Sequence, residues 1–221
     1  MKKIDVKKEF IREKASFTQR VFAFFIDIII CMAIVRLVSI PFNVLNPNIN
    51  RLNEEISSVT EQYIRGDIDV KTYMTKTTDI NYDLAREQGL IKIITIGIYI
   101  GYYMMIPFYK NGQTFGKKIL RIRVANINEK EELTMNNLVI RSLIINSILV
   151  SMITLCFAML AGKEVFLFGS LIFESIGTIV FIICLIGIGT KKDGRGLHDL
   201  LAGTIVVRNE VTVREEVLCE N

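Results

Sequence analysis

The chain has 221 residues, 51% of them hydrophobic and 23% charged, with a net charge of +4, and its mean hydropathy is +0.39. A positive hydropathy beside that much charge excludes intrinsic disorder and a small disulfide-stapled secreted module. It requires instead that apolar and charged residues be segregated along the chain, as in an integral membrane protein.

In chain order, residues 1–20 form a basic segment carrying Lys2, Lys3, Lys7, Lys8, Arg12, Lys14 and Arg20. The apolar run 21–40 is long enough to cross about 30 Å of hydrocarbon as a helix. Asp27 interrupts it about seven residues in, some 10 Å deep at roughly 1.5 Å per residue. So short a side chain does not reach water from there, and Arg20, seven residues earlier on the same face, or Arg141 at similar depth is the expected counter-charge. Ala23 and Cys31 share that stripe and leave room for another helix. A packing ion pair and a transport role are both open for Asp27.

The connection 41–89 is acidic, with eight Asp/Glu against five Lys/Arg. Asn48 or Asn50 is expected to cap a helix running to about Arg65, with Leu52, Ile56, Val59 and Tyr63 on one face, and Gly66-Asp67 to end it. A second helical pattern follows to about Gln88, giving a small external helical hairpin. The second span, 90–108, opens with Lys92, whose charge can snorkel to the interface, and carries Gly97 and Gly101 as a small-residue packing surface. Residues 109–137 are basic again. The third span, 138–160, has Arg141 near its start and a row of polar residues through Ser142, Asn146, Ser147, Ser151 and Thr154. The fourth, 165–188, places Ser170, Glu174 and Thr178 on one stripe, expected to face the polar row of the third. A carboxylate at the depth of Glu174 that loads and unloads a proton is what a proton-coupled carrier needs; a neutral acid making one interhelical hydrogen bond is the structural reading. Residues 189–221 open with Lys191, Lys192 and Arg195. Cys31, Cys156 and Cys184 lie in spans and Cys219 near the end, and all four read as small packing residues.

Lysine and arginine beside spans favour the cytoplasm. One arrangement satisfies the whole distribution: an all-α membrane protein of four transmembrane helices in two hairpins, both termini cytoplasmic and 41–89 outside. A barrel is excluded because the four runs lack period-2 alternation.

Two cytoplasmic blocks stand apart. One is Gly112-Gln113-Thr114-Phe115-Gly116-Lys117-Lys118, ending in the strand-like Ile122 to Val124. The other runs from Gly194 through His198-Asp199 to the strand-like Thr204 to Val207. They are expected to meet, as a short strand-like element, with Asp199 nearer Arg20 or Arg141 than the outer hairpin. His198 beside Asp199 is not read as a catalytic pair, since no nucleophile motif accompanies it, and one histidine makes no zinc site.

These blocks, with Arg20 and Asp27, resemble the RDD family of membrane proteins, named for an arginine and two aspartates. The arginine opening the first span matches Arg20, the first aspartate Asp27 and the second Asp199. Gly112, Gln113, Thr114, Gly116 and Lys117 look like the family's G-Q-T-x-G-K block, and Arg141 like its arginine opening a later span; the similar region is about 15–207. The resemblance implies transport, with cation/proton exchange among the suggested activities. The expectation is a small transport-related protein in a bacterial cell membrane, exchanging a small cation or proton through intramembrane carboxylates. Its partners would be the lipid bilayer and further copies of itself, since four spans leave little room for a pathway within one chain. No enzyme activity, metal, cofactor or nucleic acid is expected. The other reading is a non-transporting scaffold or accessory subunit that binds a protein partner.

Overall fold

The computed structural model describes residues 5–128, 131–191 and 193–218, with the side chains of 5–12, 43 and 210–218 outside the description. Lys2, Lys3, Lys130, Lys192 and Cys219, counted in the charge and cysteine patterns above, lie outside the described residues. The elements in order are β1 (Asp5–Lys14), α1 (Phe17–Leu45), α2 (Pro47–Arg65), α3 (Val70–Glu87), α4 (Gly89–Ile100), a π-helical turn over Gly101–Met105, α5 (Ile106–Tyr109), α6 (Phe115–Ile119), β2 (Ile122–Asn126), α7 (Met135–Ile145), α8 (Ile148–Leu160), α9 (Lys163–Thr190), α10 (Leu197–Leu201) and β3 (Thr204–Leu218). The chain is mostly helical and divides into two compact units.

Among the described residues, three helical stretches are long and apolar enough to cross a membrane: Phe17–Phe42, Gly89–Tyr109 and Lys163–Thr190. The third expected span is not one continuous helix. Met135–Ile145 and Ile148–Leu160 are bent by 64° at a break, where Ser147 takes a left-handed φ of 52° that a non-glycine residue adopts only singly and at a cost. Counting that broken pair as one span gives four.

The first unit gathers residues 1–29, 103–141 and 183–221. Its centre is an antiparallel sheet in the order β1-β3-β2. The two sequence blocks meet in it: Ile122 pairs with Arg208 and Asn126 with Thr204. The strand content exceeds the short element expected, because the basic N-terminal segment forms β1 and pairs with β3 from Asp5↔Leu218 to Lys14↔Val207. Ala15, Ala23, Ile122, Val124 and Val206 form the core beneath it. Helix α1 starts with a reciprocal cap: Gln19 N–H donates to Ser16 Oγ at 3.2 Å, and Ser16 N–H donates to Gln19 Oε1 at 3.1 Å. Thr134 and Asn137 repeat this device before α7.

The second unit holds residues 30–102 and 142–182. Helices α2 and α3 pack through Leu52, Val59 and Ile80, with Tyr63 stacked on Tyr73 at 4.7 Å. The cap of α2 is Asn46, not Asn48 or Asn50: its side chain accepts from the N–H groups of Asn48 and Ile49. The reason is Pro47, which has no N–H and is pre-set for the first helical position, so the cap falls one residue before it. Gly66 closes the helix at φ 81°. Tyr82 donates to the Ala161 carbonyl at 3.0 Å, and Lys163 pairs with Asp79, tying α3 to the α8–α9 connection. An added Cβ at Gly97 or Gly101 meets nothing within 4 Å, so the expected packing surface is not an internal seam among the described residues.

Candidate functional site

The first unit collects ten of the eleven sequence-selected residues, and each has a definable job. Asp199, fully buried on α10, is the hub. Arg141 Nη1 pairs with its Oδ1, and Thr204 Oγ1 donates to the same oxygen at 2.9 Å. Arg141 Nη1 also donates to Thr204 Oγ1 at 3.3 Å. Arg20 Nη1 lies 3.8 Å from Asp199 Oδ2, and His198 Nε2 lies 3.4 Å from it. Arg20 spends its remaining donors on backbone carbonyls: Nε on Ala15 at 3.2 Å, Nη2 on Val206 at 3.0 Å and Nη1 on Gly194. One guanidinium thus ties the start of α1 to β3 and to the turn before α10, using the fixed fork that lysine lacks.

Asp27 is 2% exposed and is held differently from the expectation. Arg20 and Arg141, the expected counter-charges, both converge on Asp199. Thr114 Oγ1 donates to Asp27 Oδ2 at 2.5 Å, and the Gly116 N–H donates to Oδ1 at 2.8 Å. Hydrogen bonds to a carboxylate of this kind are charge-assisted and stronger than neutral ones. Helical spacing placed Arg20 on the face of Asp27, but it could not reveal a carboxylate about 180 residues downstream that competes for the same guanidinium.

The glycine-bearing block is explained residue by residue. Gly112 has φ 82°, and a Cβ there would run into the Val124 backbone; its carbonyl accepts from Val124 N–H at 2.9 Å. Gln113 Nε2 donates to the Ile122 carbonyl at 3.0 Å. Both clamp β2. A Cβ at Gly116 would strike the Ala23 carbonyl and lie 2.8 Å from Asp27 Oδ1, so only glycine lets α6 approach α1. Lys117 is half-buried; burial and the Arg141 charge pull its amine down to about 8, against the opposing pull of Asp27. His198, 1% exposed, is held far below the ordinary imidazole range, first by burial and then by the charges of Arg141, Lys117 and Arg20. It is neutral near pH 7, so the pair His198–Asp199 is a neutral ring beside a carboxylate.

Glu174 stands in the second unit. It is exposed on α9 and lines a cavity of about 370 Å³ with Gln88, Lys92, Thr95, Thr154 and Ser170. The polar rows of the third and fourth expected spans do share this cavity through Thr154, Ser170 and Glu174. Two contributors escaped the sequence reading. Thr204, which bridges Arg141 and Asp199, looks like an ordinary strand residue. Lys92 looks like a snorkelling charge at a helix start, and only the fold puts it in the lining of the cavity that Glu174 shares.

The sequence profile of the RDD family matches residues 14–203. No curated protein and no solved structure matches the chain.

Proposed function

The chain belongs to the RDD family of membrane proteins, and from that premise we propose that it is a transport-related protein of a bacterial cell membrane. In this reading the Arg20–Arg141–Asp199 cluster and the Asp27 cap hold the first unit together, and Glu174 handles a small cation or a proton. One contrast carries it. Asp27 and Asp199 are buried and held by fixed donors, whereas the Glu174 side chain lines an open cavity of mixed polar and apolar lining with no hydrogen bond or ion pair among the described residues. A carboxylate locked by buried donors cannot change charge without abandoning them. An intramembrane carboxylate facing a cavity can, and such residues mark ion and proton paths.

The reading keeps both termini and the first unit's sheet cytoplasmic, with α2 and α3 outside and the spans in two hairpins, as the lysine and arginine distribution favours. It assigns no catalytic role to His198 and Asp199, and it allows several copies to assemble around a shared pathway. Ion or proton flux in proteoliposomes tests it: Glu174→Gln should abolish flux, and unchanged flux would overturn the assignment.

A second reading, a non-transporting scaffold or accessory subunit, is favoured by the internal commitment of the motif side chains. It expects no flux from the wild-type chain and a stable protein partner in pull-downs.

A further inference from the structure

The cavity around Glu174 has a chemical polarity that narrows what it would take. Its charged lining residues are Lys92, one turn into α4, and Glu174, near the middle of α9. They line the same space without pairing with each other, and neither side chain has a hydrogen-bond or ion-pair partner among the described residues. Three hydroxyl residues, Thr95, Thr154 and Ser170, share the lining with them. Each spends its proton on its own helix: Thr95 Oγ1 donates to Ile91 O at 2.8 Å, Thr154 Oγ1 to Ser151 O at 3.1 Å and Ser170 Oγ to Leu167 O at 3.1 Å. What they offer the cavity is therefore oxygen lone pairs. With the Glu174 carboxylate they make an acceptor-rich wall, the complement of a primary ammonium with several N–H donors. The amine of Lys92 and the side-chain amide of Gln88 supply donors for an anionic group. Phe166, Leu155 and Ile91 add apolar lining. At about 370 Å³ the space falls within the usual small-molecule range of roughly 300–1,000 Å³.

We propose that this cavity binds a zwitterion carrying a primary ammonium and an anionic group, the ammonium on Glu174 and the hydroxyl oxygens, the anion on Lys92 and Gln88. This names a substrate class for the site and rests on the reading of Glu174 as the working carboxylate. The same chemistry occurs in a free solute and in a phospholipid headgroup, so both are probed.

The full chain, reconstituted in phosphatidylcholine nanodiscs, is offered phosphoethanolamine in solution, with phosphocholine as control. In parallel, phosphatidylethanolamine retention is compared with phosphatidylglycerol retention by native mass spectrometry. The expected result is at least a tenfold preference for the primary-ammonium probe in one or both arms, and the arm that responds identifies the source. Glu174→Gln should reduce that preference about tenfold, whereas Lys92→Gln should weaken the binding of phosphoethanolamine and phosphocholine alike about tenfold and Lys92→Arg should retain it. Lys92 is exposed near a helix start, so its variants keep the test informative if Glu174→Gln fails to fold. Equal binding of probe and control, a preference that survives Glu174→Gln, or an affinity indifferent to Lys92→Gln overturns the proposal. Selective binding with flux indifferent to Glu174→Gln would sink the transport reading alone; flux lost in Glu174→Gln without selectivity would sink this proposal alone.

Discussion

Replacing Asp199 with asparagine removes the charge on which Arg141 and Arg20 converge. The side chain is fully buried, the Arg141 guanidinium is nearly so, and Arg141's other side-chain hydrogen bond is to Thr204. Removing one partner of a buried pair leaves the other charge uncompensated, which costs about 3–5 kcal/mol. Arg20 contributes less to that loss: it lies 3.8 Å from Asp199 and keeps three backbone carbonyls as acceptors. Asp199→Asn is therefore expected near the lower end of that range, about 3 kcal/mol, measured by equilibrium unfolding in detergent micelles. Arg141→Met should also destabilise. Because the two act through one contact, the double variant should fall short of the summed single effects by at least about 1 kcal/mol. A loss under about 0.5 kcal/mol for Asp199→Asn, or strict additivity, would refute the hub role of this carboxylate.

Gly116→Ala should destabilise by about 1–3 kcal/mol, since its methyl group meets the Ala23 carbonyl and the Asp27 carboxylate; wild-type stability in the same unfolding assay would refute the close approach of α6 to α1. Asn46→Ala removes the side-chain cap of α2 and should cost about 1 kcal/mol, read as faster hydrogen exchange over the first turn of that helix, with Asn48→Ala and Asn50→Ala smaller. His198 gives a pH signature. Its folded-state value lies below the unfolded one, so the native state keeps the neutral ring. The associated stability is complete above the unfolded value, about 6.5, and is lost as pH falls below it, by up to about 1.4 kcal/mol per pH unit. Between pH 6.5 and 5 the wild type should lose stability more steeply than His198→Gln; parallel profiles would contradict the burial of a neutral imidazole.

The spans were legible because runs of about 20 apolar residues have few other uses, and the two glycine-bearing blocks because glycines next to β-branched residues mark turns leading into strands. The partnership of the blocks in one sheet followed from their shared position after exiting spans. Three features were not legible, each for a physical reason. β1 is a charge-rich strand, Asp5 to Lys14, and its pairing with β3, about 200 residues away in the chain, leaves no mark in the local sequence pattern. The break in the third span sits at Asn146-Ser147, residues that also occur inside continuous membrane helices. The donors to Asp27 from Thr114 and Gly116 are hidden because two arginines near the right depth are plausible mates until a second carboxylate, Asp199, arrives with α10. Backbone N–H groups such as that of Gly116 carry no signal in the sequence.

On this reading the carboxylates divide into a structural set, Asp27 and Asp199, and a working one, Glu174. Flux per folded molecule in proteoliposomes separates them most directly, with wild type, Asp27→Asn, Asp199→Asn and Glu174→Gln compared after normalising to monodisperse protein. The account predicts that both aspartate variants yield less folded protein, yet retain flux per folded molecule, while Glu174→Gln folds and carries none. Flux that survives in Glu174→Gln but disappears in well-folded Asp27→Asn would contradict it.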